Sequence, residues 1–422
     1  MIEVLDQKKR LCNSFFSSHG KDVRWVFLSF LLLLGLMETG VGKISSLGDE
    51  PDWSELDVFQ DSWDRTRFLE KLTKLYCPRK EWWAPWIQVG EKDVKIRKTA
   101  NSENWYLLRF SEERKKIHSQ TLINEKQKKI GKIALDPGHI GGIYSEMEGR
   151  HFSIDGNTTV KEGNLSLLVA RRLKELLEEE NFEVVLVREK LQPVTSKRPV
   201  DFTSLARNWV NDLNLSDTSN EELEKLLKKR KEVLFYRVSE IRARAKLINR
   251  KIRPDLVICL HLNAAPWKNP EHHELVVRND YHVLVNGCYM GGELAYDDQR
   301  LEMMLRLLNG WDESERILAE ELSRSFKKNS NLPAFRYHGP NAVKVGKVDG
   351  VWGRNLLANR IYRCPVVFLE PYVANSRQAY SRIKLGNYKG LRLVEEEARV
   401  SLIEEYAQTV LSGLTRGCQE EN

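Results

Sequence analysis

Three uninterrupted apolar runs constrain this chain most: KIALDP at 132–137, DLVICLHL at 255–262 and CPVVFLE at 364–370. A strand that is apolar on both faces needs cover on both, which is the condition of a strand inside an α/β layer. Helical patterns stand between these runs. Asn164 to Leu177 carries Leu165, Leu168, Val169, Leu173, Leu176 and Leu177 on one face. A long charged helix is expected from about Ser219 to Arg250, another near Glu315–Phe326, and a closing one over about 394–414. FEVVLVR and YHVLVNG read as further strands, while 190–218 has no clear period. The alternation implies an α/β layered fold with a largely parallel, mixed central sheet flanked by helices. With 41% hydrophobic and 30% charged residues, the chain has ample apolar material for such a core.

The N-terminal part differs. Lys8, Lys9, Arg10, Lys21 and Arg24 precede an apolar run from Trp25 to Met37, and Gly40 and Gly42 are small enough for a cleavage site. The run is short for a membrane span and suits a signal-peptide core, so 1–42 is expected to be a signal peptide or an N-terminal membrane anchor through residues 25–37. Residues 43–125 read as a small N-terminal α+β accessory unit with a linker, 126–416 as the catalytic domain and 417–422 as a tail. In the accessory unit a helix is expected over about Asp61–Tyr76, then strands DVKIRK and WYLLRF. Trp82, Trp83, Trp86 and Trp105 are read as filling its thin core rather than as a glycan-stacking face. The net charge of +7 is spread among many Glu residues and does not point to nucleic acid. No CxxC spacing occurs, and Cys259 and Cys364 sit in apolar runs as small core residues.

Four islands carry chemistry: ALDPGHIGG, KEGNLSLLVARRL, DLVICLHLNAA and VVFLEPYVANS, with candidates His139, Glu162, His261 and Glu370. His139, His261 and Glu370 each end an apolar strand, and ligands in open α/β sheets gather at the carboxyl ends of strands. Glu162 stands just before a helix, in the loop region of the same rim. Two imidazoles and a carboxylate make a catalytic zinc set with a fourth position for water, and a further carboxylate can work on that water. A carboxylate after VVFL is costly without a partner or metal.

These residues resemble the zinc-dependent N-acetylmuramoyl-L-alanine amidases of the type 3 amidase family. The resemblance rests on LDPGHIGG, on Glu162 at the first helix and on Arg188 after the second strand. It continues with RAKLIN at 244–249, His261 with Asn263, and Glu370 with Ala374–Asn375, covering about 132–415 in scattered blocks. It implies one Zn2+ held by His139, Glu162 and His261, and Glu370 as general base and acid. The implied reaction cleaves the amide between the muramoyl lactyl group and L-alanine of the stem peptide. The implied location is periplasmic or secreted, with inner-membrane anchoring if the leader is retained. The implied partners are peptidoglycan or muropeptides, with an activator protein as a candidate.

The chain departs from the family pattern in four places. Ile140 replaces a usual Gly, and EPY stands at 370–372 where the family has a Glu-x-Gly-Phe-like turn. The segments 189–240 and 266–312 are long. The second contains an acidic stretch at 291–312, expected to be a solvated helix. As a lid, its Glu293, Asp297, Asp298 or Glu302 could reach the open zinc position. Two alternatives compete with the amidase reading: a zinc exopeptidase or other amidohydrolase on a similar sheet, and a non-catalytic wall-binding or regulatory protein.

Overall fold

The computed structural model describes residues 43–100, 102–111, 130–154, 156, 158–215, 218–269, 273–394 and 396–419. The leader at 1–42 with Cys12, most of the 111–131 linker, His272 and the last three residues of the tail lie outside the described residues. Among the described residues no helix is long and apolar enough to cross a membrane.

The N-terminal unit forms a helix α1 (Arg65–Lys71) capped by Asp64, whose side chain accepts from the Arg67 amide. An antiparallel sheet follows in the order β1 (Ile87–Val89), β2 (Asp93–Arg97), β3 (Trp105–Arg109). Its buried Trp83, Ile87, Val94 and Leu108 belong to the same hydrophobic cluster as the main sheet, and Trp82 and Trp86 pack against it. Arg97 lies over the Trp105 ring at 4.8 Å.

The main sheet opens with β4 (Lys132–Pro137). The β5–β6 hairpin (His151–Ser153 and Thr159–Lys161) then leads into helix α2 (Glu162–Glu179). The chain continues through β7 (Glu183–Leu186) and helix α3 (Thr203–Asp212). Next comes a helical run over 220–252: α4 (Asn220–Val233), a wide turn and α5 (Glu240–Leu247). Ser219 and Glu222 form a capping box at its start, where the sequence placed the boundary. Strands β8 (Leu256–Leu260) and β9 (Tyr281–Val285) follow, then helices α6 (Asp297–Asn309) and α7 (Asp312–Ser325). The chain ends through β10 (Val343–Lys344), β11 (Val351–Gly353), β12 (Val366–Pro371), helix α8 (Arg377–Lys384), a β13–β14 hairpin (Arg392–Val394 and Glu397–Arg399) and α9 (Leu402–Gln419).

The seven strands run in the order β10-β11-β9-β12-β8-β4-β7. The β12–β8, β8–β4 and β4–β7 pairs are parallel, β9 is antiparallel to β12, and β11 is parallel to β9. The sheet is therefore mixed with a parallel centre, as the apolar runs required. The closing helix starts at Leu402 rather than about 394, because the preceding charged segment pairs as the β13–β14 hairpin.

The 291–312 segment is neither solvated nor a lid. Met303, Met304, Leu305, Leu307 and Leu308 are buried, and the Trp63 Nε1 donates to the Leu308 carbonyl at 3.1 Å. Its acids are occupied within the fold: Asp297 pairs with Arg300, Asp298 with Ser45 and Arg242, and Glu302 with Arg360. Glu293 accepts from the Met290 amide at 2.8 Å. A helix with apolar residues around most of its circumference belongs in a core, and the acidic residues masked that pattern in the sequence.

Candidate metal centre

The site is built on one row across adjacent strands. Pro137 pairs with Leu260, Leu369 pairs with Leu260, and Glu370 pairs with His282. The Gly138 amide continues the β4–β8 ladder onto the Leu260 carbonyl, and the His261 amide bonds the Leu369 carbonyl. Gly138, His261, Glu370 and His282 therefore follow one another from strand to strand at the carboxyl ends of β4, β8 and β12.

The β4 exit turn is tight. A Cβ at Gly138 would lie 2.3–2.4 Å from the His261 ring atoms, so only glycine lets the two strand ends approach this closely. His139 follows at φ 57°. Arg244 on α5 holds the turn: it donates to Asp136 Oδ1 (2.8 Å), to the Pro137 carbonyl (2.8 Å) and to the His139 carbonyl (2.9 Å). Its Nε meets Glu240 at 2.8 Å, and the Tyr362 hydroxyl supplies the second bond to Asp136 at 2.6 Å. Arg188 reaches the Gly163 carbonyl at 3.2 Å. Both arginines are buried.

Glu162 is the first residue of α2 rather than a loop residue before it, so the helix begins two positions earlier than its apolar stripe indicated. A carboxylate there is favoured by the unpaired amides and the dipole of the helix start. Its two oxygens divide the imidazoles: Oε2 lies 3.2 Å from His139 Nε2 and Oε1 3.0 Å from His261 Nδ1. Phe368 stacks under the His261 ring at 4.3 Å, and the Tyr406 hydroxyl donates to the His261 carbonyl.

The ligating atoms of His139, Glu162 and His261 all lie within 4.8 Å of one another. Two imidazole nitrogens and a carboxylate oxygen suit a divalent zinc ion in number and chemistry. Glu370, on the neighbouring strand and part-exposed, is left free of them.

Electrostatics separate the two carboxylates. Burial acts to raise Glu162, but His139, His261 and Arg150 hold it well below the usual carboxylate range. Burial pushes Glu370 up to about 8, with the Glu162 charge adding to it and Arg150, His139 and Arg354 opposing. Burial disfavours charge on both imidazoles. In His139 the Glu162 and Glu148 carboxylates outweigh it and hold the ring up at about 9, whereas in His261 burial prevails.

The structure brings His139, Glu162 and His261 together, with Glu370 at the end of the adjoining strand, and adds two neighbours that the sequence reading did not name. Glu148 is buried, stands 3.5 Å from His139 Nδ1 and accepts from the Ile140 and Gly141 amides (2.9 and 3.1 Å). It orients the imidazole from behind, as carboxylates beyond a ligating histidine do. Arg150 Nε stands 3.7 Å from Glu162. Neither residue has a periodic signal in the irregular stretch SEMEGR. Ile140 is fully buried with Phe202, Ala206, Leu227, Leu234 and Phe235. The departure from glycine thus anchors the long 189–240 segment. Tyr372, from the EPY departure, turns its hydroxyl to Glu405 at 2.9 Å.

A separate carboxylate beside a three-donor cluster at strand ends suits metal-assisted hydrolysis. The chain belongs to the N-acetylmuramoyl-L-alanine amidase family, whose model matches residues 133–389. It is accordingly an amidase of the class that acts on peptidoglycan. No curated protein matches the sequence. Among solved structures, the chain is similar to the CwlD amidase of Clostridioides difficile, solved in complex with the GerS lipoprotein. That match has 12% identity and a TM-score of 0.38, and covers 69% of this chain and 99% of that one. It is similar to the amidase AmiC2 of Nostoc punctiforme at 13% identity and a TM-score of 0.37, covering 69% and 98%. It is also similar to apo Ami1 of Mycobacterium abscessus at 15% identity and a TM-score of 0.36, covering 68% and 98%.

Proposed function

We propose that this protein is a zinc-dependent N-acetylmuramoyl-L-alanine amidase. It hydrolyses the amide between the muramoyl lactyl group and L-alanine, and it acts on peptidoglycan outside the cytoplasm. The observation that carries this reading is the convergence of His139, Glu162 and His261, with Glu370 at the end of the adjoining strand. These three residues would hold the ion. When bound, zinc lowers the pKa of a water to about 7 and polarises the scissile carbonyl.

The chain's own groups do the rest. Glu162 stays ionised and draws the two imidazoles to a common point. Glu148 keeps the His139 ring in place through Nδ1. In its ionised form, Glu370 takes a proton from the attacking water and returns it to the leaving amine nitrogen. Its position on the neighbouring strand, bonded to no ligand, leaves it free for that transfer.

The test is metal analysis of the purified chain followed by a muropeptide digest read by mass spectrometry. About one zinc per chain is expected, with most of it lost in His139→Ala and His261→Ala. The expected products are stem peptides with a free L-alanine amino terminus. Full zinc occupancy in both variants, or cleavage of ordinary peptides in place of muropeptides, would overturn the reading.

A further inference from the structure

A cluster of polar groups next to Glu370 takes no part in the mechanism above. His282 lies opposite Glu370 on β9, so both side chains point to the same face of the sheet. His282 is only 5% exposed, and its Nδ1 has no hydrogen-bond partner among the described residues. Its Nε2 stands 3.3 Å from the Tyr337 hydroxyl, and that hydroxyl stands 3.3 Å from Arg354 Nη1. The Arg354 guanidinium lies 5.6 Å from the Tyr337 ring centroid. The nearby cation Arg278 is already paired with Asp280 and stacked on Phe335 at 4.4 Å.

Arg354 is different. Among the described residues no carboxylate lies within ion-pair distance of it, and the long bond to Tyr337 is its one side-chain hydrogen bond. A guanidinium carries five donors in a planar fork that matches a carboxylate. Its field reaches Glu370 and acts to lower that carboxyl. Arg354 directly follows β11, two strands from β12, which is about 10 Å at the usual strand spacing. Its side chain reaches back over β9 toward Tyr337 and spans part of that gap.

We infer that Arg354, with Tyr337 and His282 beside it, binds a free carboxylate of the leaving peptide. The group would be the carboxylate on the residue that follows L-alanine. Two residues of extended chain reach roughly 7 Å, which fits a scissile amide at Glu370 and a carboxylate further along the row. The cluster then discriminates between stem peptides whose second residue carries a carboxylate and those in which it is an amide. This inference rests on the amidase reading.

The experiment compares two muropeptides that differ only in that group, carboxylate against carboxamide, using the full zinc-loaded chain and its R354Q and R354K variants. Wild-type protein is expected to prefer the carboxylate in kcat/KM. The ratio should fall by roughly 10- to 100-fold in R354Q, the range for a hydrogen-bonded charge, and mainly through KM. R354K should recover part of it. Calorimetric titration of the two released peptides should give the same loss of preference without turnover, and zinc content should match wild type. An unaltered ratio in R354Q overturns the inference. So does an equal fall for both substrates, which would mark Arg354 as merely structural. If wild type cleaves muropeptides without preference, the inference alone fails. If it cleaves none, the amidase reading fails with it.

Discussion

Glu370 shows what a residue's neighbours add to its identity. Its sequence setting marks only an expensive carboxylate after an apolar strand. The structure adds that burial and Glu162 raise it while His139, Arg150 and Arg354 restrain it. Glu370→Gln keeps the shape, so zinc and folding should persist while activity falls about 10²–10⁴-fold, the usual contribution of a proton-transfer group. Turnover within a few-fold of the parent, in a zinc-loaded variant, would reassign the base. The four candidate residues were legible because each ends or begins an element whose pattern is strong. Glu148, Arg150 and Arg354 were not, because they lie in irregular loops or just beyond a three-residue strand, and only folding brings them to the row.

At the scale of elements, α5 matters through one side chain. Arg244 joins β4 to the His139 turn through a buried pair with Asp136 and two carbonyl bonds. Arg244→Ala leaves Asp136 buried with no cation paired to it, only the Tyr362 hydroxyl and the Cys259 thiol. Breaking such a pair costs about 3–5 kcal/mol, so a urea melt should show a loss of that order, together with weaker zinc retention. A melt within 1 kcal/mol of wild type would show that the turn holds without it. Helix α6 is a second case. Its acidic residues read as solvent-facing in the sequence, yet each found a partner inside the fold. Met304→Ala should cost about 2–5 kcal/mol, and excision of 291–312 should abolish soluble expression. A folded and more active excision product would restore the idea of a lid. Strands and amphipathic helices were readable because their periods follow from burial. The role of α6 depended on residues distant in sequence, such as Trp63 and Arg360.

Across the whole molecule, stability should depend on pH through His282. Burial, Arg354 and Arg278 push it from 6.5 down to about 3. The folded state therefore prefers the neutral ring. The stability linked to it is present above about pH 6.5 and is lost as pH falls toward about 3. Denaturant melts at pH 7 and pH 5 should show a larger loss in wild type than in His282→Gln. Parallel losses would mean that other groups carry the acid limb.

The single row that carries Gly138, His261, Glu370 and His282 also sets where this chain tolerates change. Along a strand, side chains alternate faces, so a one-residue deletion inside β8 or β12 would turn His261 or Glu370 to the far side of the sheet. Between the strands no such parity applies, because lengthening a connection costs only slowly growing closure entropy. The long stretch at 189–240 falls in such an interval, between β7 and β8, and the alignment of the reacting groups survives it. The chain thus behaves like a text whose punctuation is fixed while its clauses lengthen.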